Sequence, residues 1–429
     1  MGARRVVLAA AVFVVGACAS SADEVAPDGT LIAGSLPPEA SVELTWPPPA
    51  MEPFRRPVTP VAPAMTRSTP GPASTTSTTS STTTTTSTPT TVEGPRTFTA
   101  AFTGDTLVHS PLWDQAARNA GGSGFDFDPM LARLRPLLDD VDLTVCHLET
   151  PIAPAGEPFS TAPMYGVPVE VVDAIDAAGY DRCSTASNHT IDRGVAGVDR
   201  TIAALQAAGL GQSGMASTPA ELEPSAFDVR GVAVSHLSYT FSFNGMSLPD
   251  DQPWRSAAID PVRIVADAGE ARRRGAEVVV VSLHWGNEGM SDVTDWQRSI
   301  AEQITAGGAV DLIVGHHAHV VQPIEQINGT WVVYGLGNIL SNLSSRSGWP
   351  ASSQDGMVAI VAVTVHPDGD VQVWPPAIYP TWVDIDAGWI VRLVGRDLAD
   401  PATDAGLRAR LAESLARTRS VVGDHVAQG

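Results

Sequence analysis

The sequence predicts an α/β fold in which two mixed sheets pack together with helices outside. Two features predict it. From about residue 97, short apolar runs alternate with helical stretches, and beyond residue 320 the chain turns β-rich. In addition, five of the apolar runs end in Asp, Glu, Asn or His. Strand ends in α/β folds face the crevice where ligands bind. A chain of 429 residues, 43% hydrophobic and 17% charged, allows about two or three domains.

The N-terminus reads as a targeting segment. Arg4 and Arg5 precede the apolar run from Val6 to Val15, which is too short to span a bilayer comfortably. Val15-Gly16-Ala17-Cys18 resembles a bacterial lipobox, so residues 1–18 are expected to be a lipoprotein-type signal peptide with Cys18 acylated. A plain signal peptide cut nearby and an uncleaved anchor are the other readings. All three place the rest of the chain outside the cytoplasm, and the first anchors it to the outer face of the bacterial cell membrane. Residues 19–96 are rich in Pro and then in Thr and Ser, a composition that cannot bury a core. They are expected to form a disordered, O-glycosylatable stalk spanning about 50 Å. A folded domain over 97–390 and a helical tail over 391–429 follow.

Within that domain, Thr97 to Phe102 roughly alternates and delivers Asp105 at its C-terminal end, with His109 four residues on. Asp128-Pro129 has the residue types of a helix N-cap and first turn. The strand from Val141 to Cys146 runs into His147-Leu148-Glu149-Thr150. A helix over about 168–178 leads to the strand Asp181 to Ala186, which ends in Ser187-Asn188-His189-Thr190-Ile191-Asp192-Arg193-Gly194. After a helix over about 195–208, strands are expected at 226–229 and 231–239. The buried run from Glu277 to Leu283 ends in His284-Trp285-Gly286-Asn287-Glu288. The run from Val310 to Val314 places Gly315-His316-His317-Ala318-His319 on a loop beyond its end. Asn328-Gly329 marks a hairpin turn, and the strand after it ends in Gly335-Leu336-Gly337-Asn338. Residues 357–365 and 371–379 suggest a closing hairpin, and 402–422 a surface helix.

Charge and residue types narrow the chemistry. The net charge is −21 and the pI about 4.7, which argues against a nucleic-acid partner. All 26 basic residues are Arg, which removes lysine Schiff-base and P-loop mechanisms. Three imidazoles in one short stretch suit a divalent transition metal. With Asp105, Glu149, Asn188, His189 and His284 at other strand ends, the set has the ligand types of a two-metal hydrolase.

These motifs, taken together and in order from Thr97 to Tyr379, resemble the bacterial capsule-synthesis protein family of CapA type, associated with poly-γ-glutamate. That family is related to calcineurin-like metallophosphoesterases. The resemblance implies a four-layer αββα sandwich and two divalent cations, Mn, Fe or Zn. It implies Asp105, Glu149, Asn188, His284, His317 and His319 as metal ligands, with Glu149 the bridge and His316 an alternative ligand. His189 matches the catalytic histidine, with Asp192 as its carboxylate partner. The superfamily's first motif, Asp-x-His, is incomplete: Thr106 and Leu107 follow Asp105, leaving His109 to substitute. Arg193, Glu288 and Asn338 are expected to support the site or contact substrate. The implied reaction is attack by water on a phosphoryl group clamped by two cations about 3.5–4 Å apart, with His189 protonating the leaving oxygen.

Cys146 and Cys183 fall in strands approaching the site, and either pair in an exported protein or stay as buried thiols. Three functions follow. One is capsule or poly-γ-glutamate biosynthesis on an anionic envelope polymer, alongside polymer-synthesis membrane proteins. Another is phosphoester hydrolysis on a different envelope substrate. The third is non-catalytic binding of a polymer by the same fold.

Overall fold

The computed structural model describes residues 94–427; the signal segment, Cys18 and the stalk up to residue 93 lie outside the described residues. The chain opens with β1 (Arg96–Thr106), whose Phe98, Ala100 and Phe102 point to one core and Ala101 to another, as a two-residue period requires. Next come α1 (Ser110–Asn119), α2 (Asp128–Leu131), α3 (Arg135–Leu138), β2 (Leu143–Leu148), α4 (Glu170–Ala177), β3 (Arg182–Ser184), α5 (Gly194–Ala207), β4 (Gly211–Ser213) and α6 (Pro219–Leu222). The second half supplies the hairpin β5 (Ala226–Val229) and β6 (Val232–Thr240). It continues through α7 (Pro261–Arg273), β7 (Val278–Trp285), α8 (Asp295–Thr305) and β8 (Leu312–His317) to the hairpin β9 (Ile324–Ile327) and β10 (Thr330–Val333). Closing the chain are β11 (Asn338–Leu340), β12 (Asp355–Val365), β13 (Val371–Val373), β14 (Ala377–Asp384), β15 (Ile390–Leu393), α9 (Val394–Ala399) and α10 (Ala405–Val422).

Among the described residues the strands form two mixed sheets. The first runs β15-β14-β12-β1-β2-β3-β4, with β11 on β1 and β13 on β12; the second runs β5-β6-β7-β8-β10-β9. Phe102, Val145, Val234, Val280, Val314 and Val361 fill the space between them. Leu112, Met130, Val171 and Ile175 cover the outer face of the first sheet, and Ile264, Ala268, Ile300 and Ile304 that of the second. The result is the αββα layering, with a hydrophobic core at each of its three internal contacts.

Four expectations change. The histidine-bearing strand does not stop at Val314: β8 continues through His317, held by pairing with β7, so only His319 lies on the loop proper. The closing hairpin breaks after Val373, where Pro375 and Pro376 lack the N–H groups a ladder needs, and pairing to β12 resumes in β14. The cap of α2 is Phe127 rather than Asp128, which opens the helix as its first residue. The first sheet also runs past residue 390, because β15 pairs with β14 over 390–393.

Candidate metal centre

Register brings the motifs together. Asp105 on β1 faces His147 on β2 and Asn338 on β11, and His284 on β7 faces His316 on β8. Two close approaches make this possible. A side chain at Gly104 would collide with the Gly337 carbonyl, beside the bond from the Asp105 N–H to Gly337 O at 2.8 Å. A side chain at Gly315 would collide with the Tyr334 carbonyl. Both glycines are required by backbone proximity rather than by a turn.

Asp105 is fully buried. Its Oδ1 lies 3.2 Å from His316 Nδ1 and its Oδ2 3.1 Å from both the His317 N–H and His319 Nδ1. Burial alone would raise its pKa, but these donors outweigh burial and hold it below the usual carboxylate range. His317 and His319 adopt φ of 86° and 57°, a region that costs a non-glycine residue about 1–3 kcal/mol. The bond from His317 N–H to Asp105 helps to hold that backbone in place.

The imidazoles form a connected layer. His147 Nδ1 lies 2.8 Å from the Ser184 hydroxyl, His147 Nε2 lies 2.9 Å from His284 Nδ1, and His284 Nε2 lies 2.8 Å from Asn188 Oδ1. His147 also stacks on His316, with centroids 4.0 Å apart. Burial drives His147 and His284 well below the ordinary histidine value, and His317 down to about 3. For His319 burial works the same way, but Glu149 and Asp105 outweigh it and push it up to about 9.

Glu149 is the anomaly. Both of its oxygens are buried with no hydrogen-bond partner, and imidazole nitrogens stand off at 3.6 Å (His319) and 3.9 Å (His284). Burial lifts its pKa well above the carboxylate norm. His317 Nδ1 is likewise buried and unpartnered. Unpaired buried carboxylates and ring nitrogens are costly in a folded protein, and a cation is the partner that suits both. Two groups among the described residues have ligand atoms within 4.8 Å of one another: Asp105, His147 and His316; and Glu149, His317 and His319. The donor set of imidazoles and carboxylates fits divalent transition metals.

The structure thus brings together Asp105, Glu149, Asn188, His284, His316, His317 and His319. His189 and Asp192 sit beside them as a pair: His189 Nδ1–H donates to Asp192 Oδ2 at 2.7 Å, and that oxygen also accepts from the Tyr165 N–H at 2.6 Å. Asn338 supports His319, its Oδ1 accepting at 3.0 Å. Glu288 is exposed, yet close enough to raise the pKa of both Glu149 and His319.

Two residues depart from expectation. His109 joins neither group: its Nδ1–H donates to Leu107 O at 3.0 Å and its Nε2 accepts from Tyr165 at 3.1 Å, so it does not replace the missing Asp-x-His histidine. Arg193 turns away to Ser160 and Glu157.

His147 groups with Asp105 and His316, and sequence reasoning assigned it no role. Its signal was available, since it stands two residues before Glu149 and a strand period of two puts both on one face. Tyr165, whose ring meets His189 edge-on at 4.6 Å, and Asn244, which touches Asn188 and His189, come from irregular segments with no such signal.

A model of the family described as bacterial capsule synthesis protein, PGA_cap, matches residues 99–343. The chain is 33% identical over 192 residues to the PGA biosynthesis protein CapA of Bacillus subtilis (strain 168), covering 44% of this chain and 49% of that protein. It is 28% identical over 193 residues to the capsule biosynthesis protein CapA of Bacillus anthracis, covering 44% and 46%. The chain therefore spans about half the length of these relatives. Among solved structures, the calcineurin-like phosphoesterase YfkN from Bacillus subtilis is 13% identical with a TM-score of 0.38, covering 76% of this chain and 97% of that one. That likeness is too loose to bear on activity.

Proposed function

The chain belongs to the bacterial capsule synthesis protein family, and from that premise we propose that it is a cell-surface factor in the biosynthesis of an anionic capsule polymer such as poly-γ-glutamate, and that it hydrolyses a phosphoester at a dinuclear metal centre. The observation behind the metal centre is Glu149, a fully buried carboxylate whose two oxygens have no hydrogen-bond partner and face His319 and His284. Export and a lipid anchor on Cys18 belong to the same proposal and rest on the N-terminal sequence.

Asp105, His147 and His316 would hold one cation, and Glu149, His317 and His319 the other, with Asn188 and His284 closing the shell. Divalent cations there would supply charge to a phosphoryl group and lower the pKa of water. The protein's own residues do the rest. Asn338 and Asp105 orient His319, and Ser184 orients His147. Asp192 holds the Nδ1–H of His189 and leaves the opposite ring nitrogen, when the imidazolium bears a second proton there, to protonate the leaving oxygen. Tyr165 packs on that ring and fixes its plane.

The test is elemental analysis of the full chain, as wild type and as the His317→Ala/His319→Ala double variant. About two metals per wild-type chain, reduced in the variant, with turnover of a phosphoester that ends on chelation, is the expected result. No metal after reconstitution with Mn, Fe or Zn defeats the hydrolytic reading and leaves a binding role.

A further inference from the structure

Beside the His189–Asp192 pair lies a cavity of about 360 Å³ to which the metal-centred chemistry gives no task. Its wall is mainly apolar: Ile191, Val195, Val198, Met246 and Pro249. Among the described residues the one charged group on the wall, Arg255, is already paired. Arg255 bonds Asp199, Gln252 and the Ala216 carbonyl, leaving its stem to the cavity. The volume is in the range of small-molecule sites, roughly 300–1,000 Å³.

The cavity shares two chain segments with the reacting centre. Ile191 stands between His189 and Asp192 in the chain, so one wall is part of the catalytic motif itself. The other wall belongs to the irregular segment 241–249. At one end of that segment the Phe241 ring lies 4.4 Å from the His317 ring and is 39% exposed. In its middle, Asn244 accepts from Asn188 Nδ2 at 3.2 Å and approaches His189 Nδ1 at 3.4 Å. At its far end Met246 and Pro249 line the cavity. The same loop therefore touches the metal-ligand histidine, the proton-donating histidine and the apolar wall. Through Ile191 and this loop, the cavity wall and the proton-donating histidine belong to the same two segments.

We propose that this cavity is a leaving-group subsite for a hydrocarbon chain, and that the substrate class is a phosphate ester of an alkyl or polyprenyl alcohol. The assignment rests on the hydrolytic reading above. In the step, the oxygen of water bonds to phosphorus, and the P–O bond to the alcohol carbon chain breaks. His189 gives its proton to the departing alkoxide oxygen. The products are the alcohol, still in the cavity, and inorganic phosphate. Each methylene buried on binding improves affinity about fourfold.

The test uses the full chain with methyl and n-hexyl probes, as phosphonates for binding by calorimetry and as phosphate monoesters for release of inorganic phosphate. Binding is measured with and without metal. Wild type is expected to bind the hexyl phosphonate at least about tenfold more tightly than the methyl compound, in both conditions, and to show a similar preference in kcat/KM. Val195→Trp and Met246→Trp fill the cavity from partly exposed positions, and each should bring both ratios to within about threefold. Equal binding of the two phosphonates by wild type overturns the subsite, as does a preference that survives both variants. Chain-length-dependent binding without any hydrolysis upholds the subsite and defeats the hydrolytic reading. Hydrolysis without chain preference does the reverse.

Discussion

At the scale of single residues, the candidate centre holds buried polar groups that lack a partner. Glu149 is the clearest case, because no N–H or O–H reaches either oxygen inside a fully buried environment. A side chain held there for folding alone would have a donor. Burial keeps Glu149 from ionising as it does in the unfolded chain, a cost at neutral pH that an amide does not carry, and Glu149→Gln is expected to stabilise the metal-free protein by about 1–2 kcal/mol. The same substitution should lower metal content. Urea midpoints in chelator, set beside elemental analysis, check both halves; a variant less stable than wild type in chelator would mean that the carboxylate has a structural partner. His147 belongs to the same scale. It was legible in principle from its spacing to Glu149, but a histidine inside an apolar strand reads equally well as core. Only the pairing of β1 with β2, which sets Asp105 opposite His147, separates the two readings.

At the scale of elements, the metal ligands depend on how β3 is fastened to β2. The two strands pair over three residues, with Cys146 opposite Cys183 and His147 opposite Ser184. A disulfide joins the cysteines across 37 residues of sequence. Such a closed loop contributes about 2–4 kcal/mol through the unfolded chain. Cys146→Ala/Cys183→Ala is therefore expected to lose about that much stability, read as a shift in denaturation midpoint. An unchanged midpoint would show that the sheet alone fixes β3. Element positions were largely legible, because long buried runs such as 278–283 and the Asn328-Gly329 turn act locally. The cysteine pairing was not, since it depends on a register between strands separated by α4. The break between β13 and β14 had its signal in Pro375 and Pro376. Asn244 and Tyr165 had none, because irregular segments are placed by what they pack against.

At the scale of the whole molecule, the family match and the folding unit do not coincide. The match ends at residue 343, yet β12 begins at Asp355 and is the neighbour of β1 in the middle of the first sheet. Those strands pair over eight residues, from Arg96 opposite Val365 to Thr103 opposite Val358. Without β12, one edge of β1 would be open, and the apolar layer between the sheets would lose Val358's neighbours Met357, Ala359, Val361 and Val363. The C-terminal helix reaches the same region: Val422 sits in the inter-sheet core, and Arg417 bonds both oxygens of Asp355 at 2.6 and 2.8 Å. Asp355 in turn opens the strand whose Gly356 bridges Gly337, next to Asp105 and Asn338. The metal ligands thus lie inside the matched region while the strand that seats them lies outside it. A chain of residues 94–427 is expected to unfold in one cooperative transition and retain metal, whereas 94–343 should show no cooperative transition and bind none. Far-ultraviolet circular dichroism through a urea series, with metal content on both, decides the matter. Cooperative unfolding of the shorter chain with metal bound would mean that β11 and β2 suffice to hold β1, and that residues 344–427 serve some purpose other than the site.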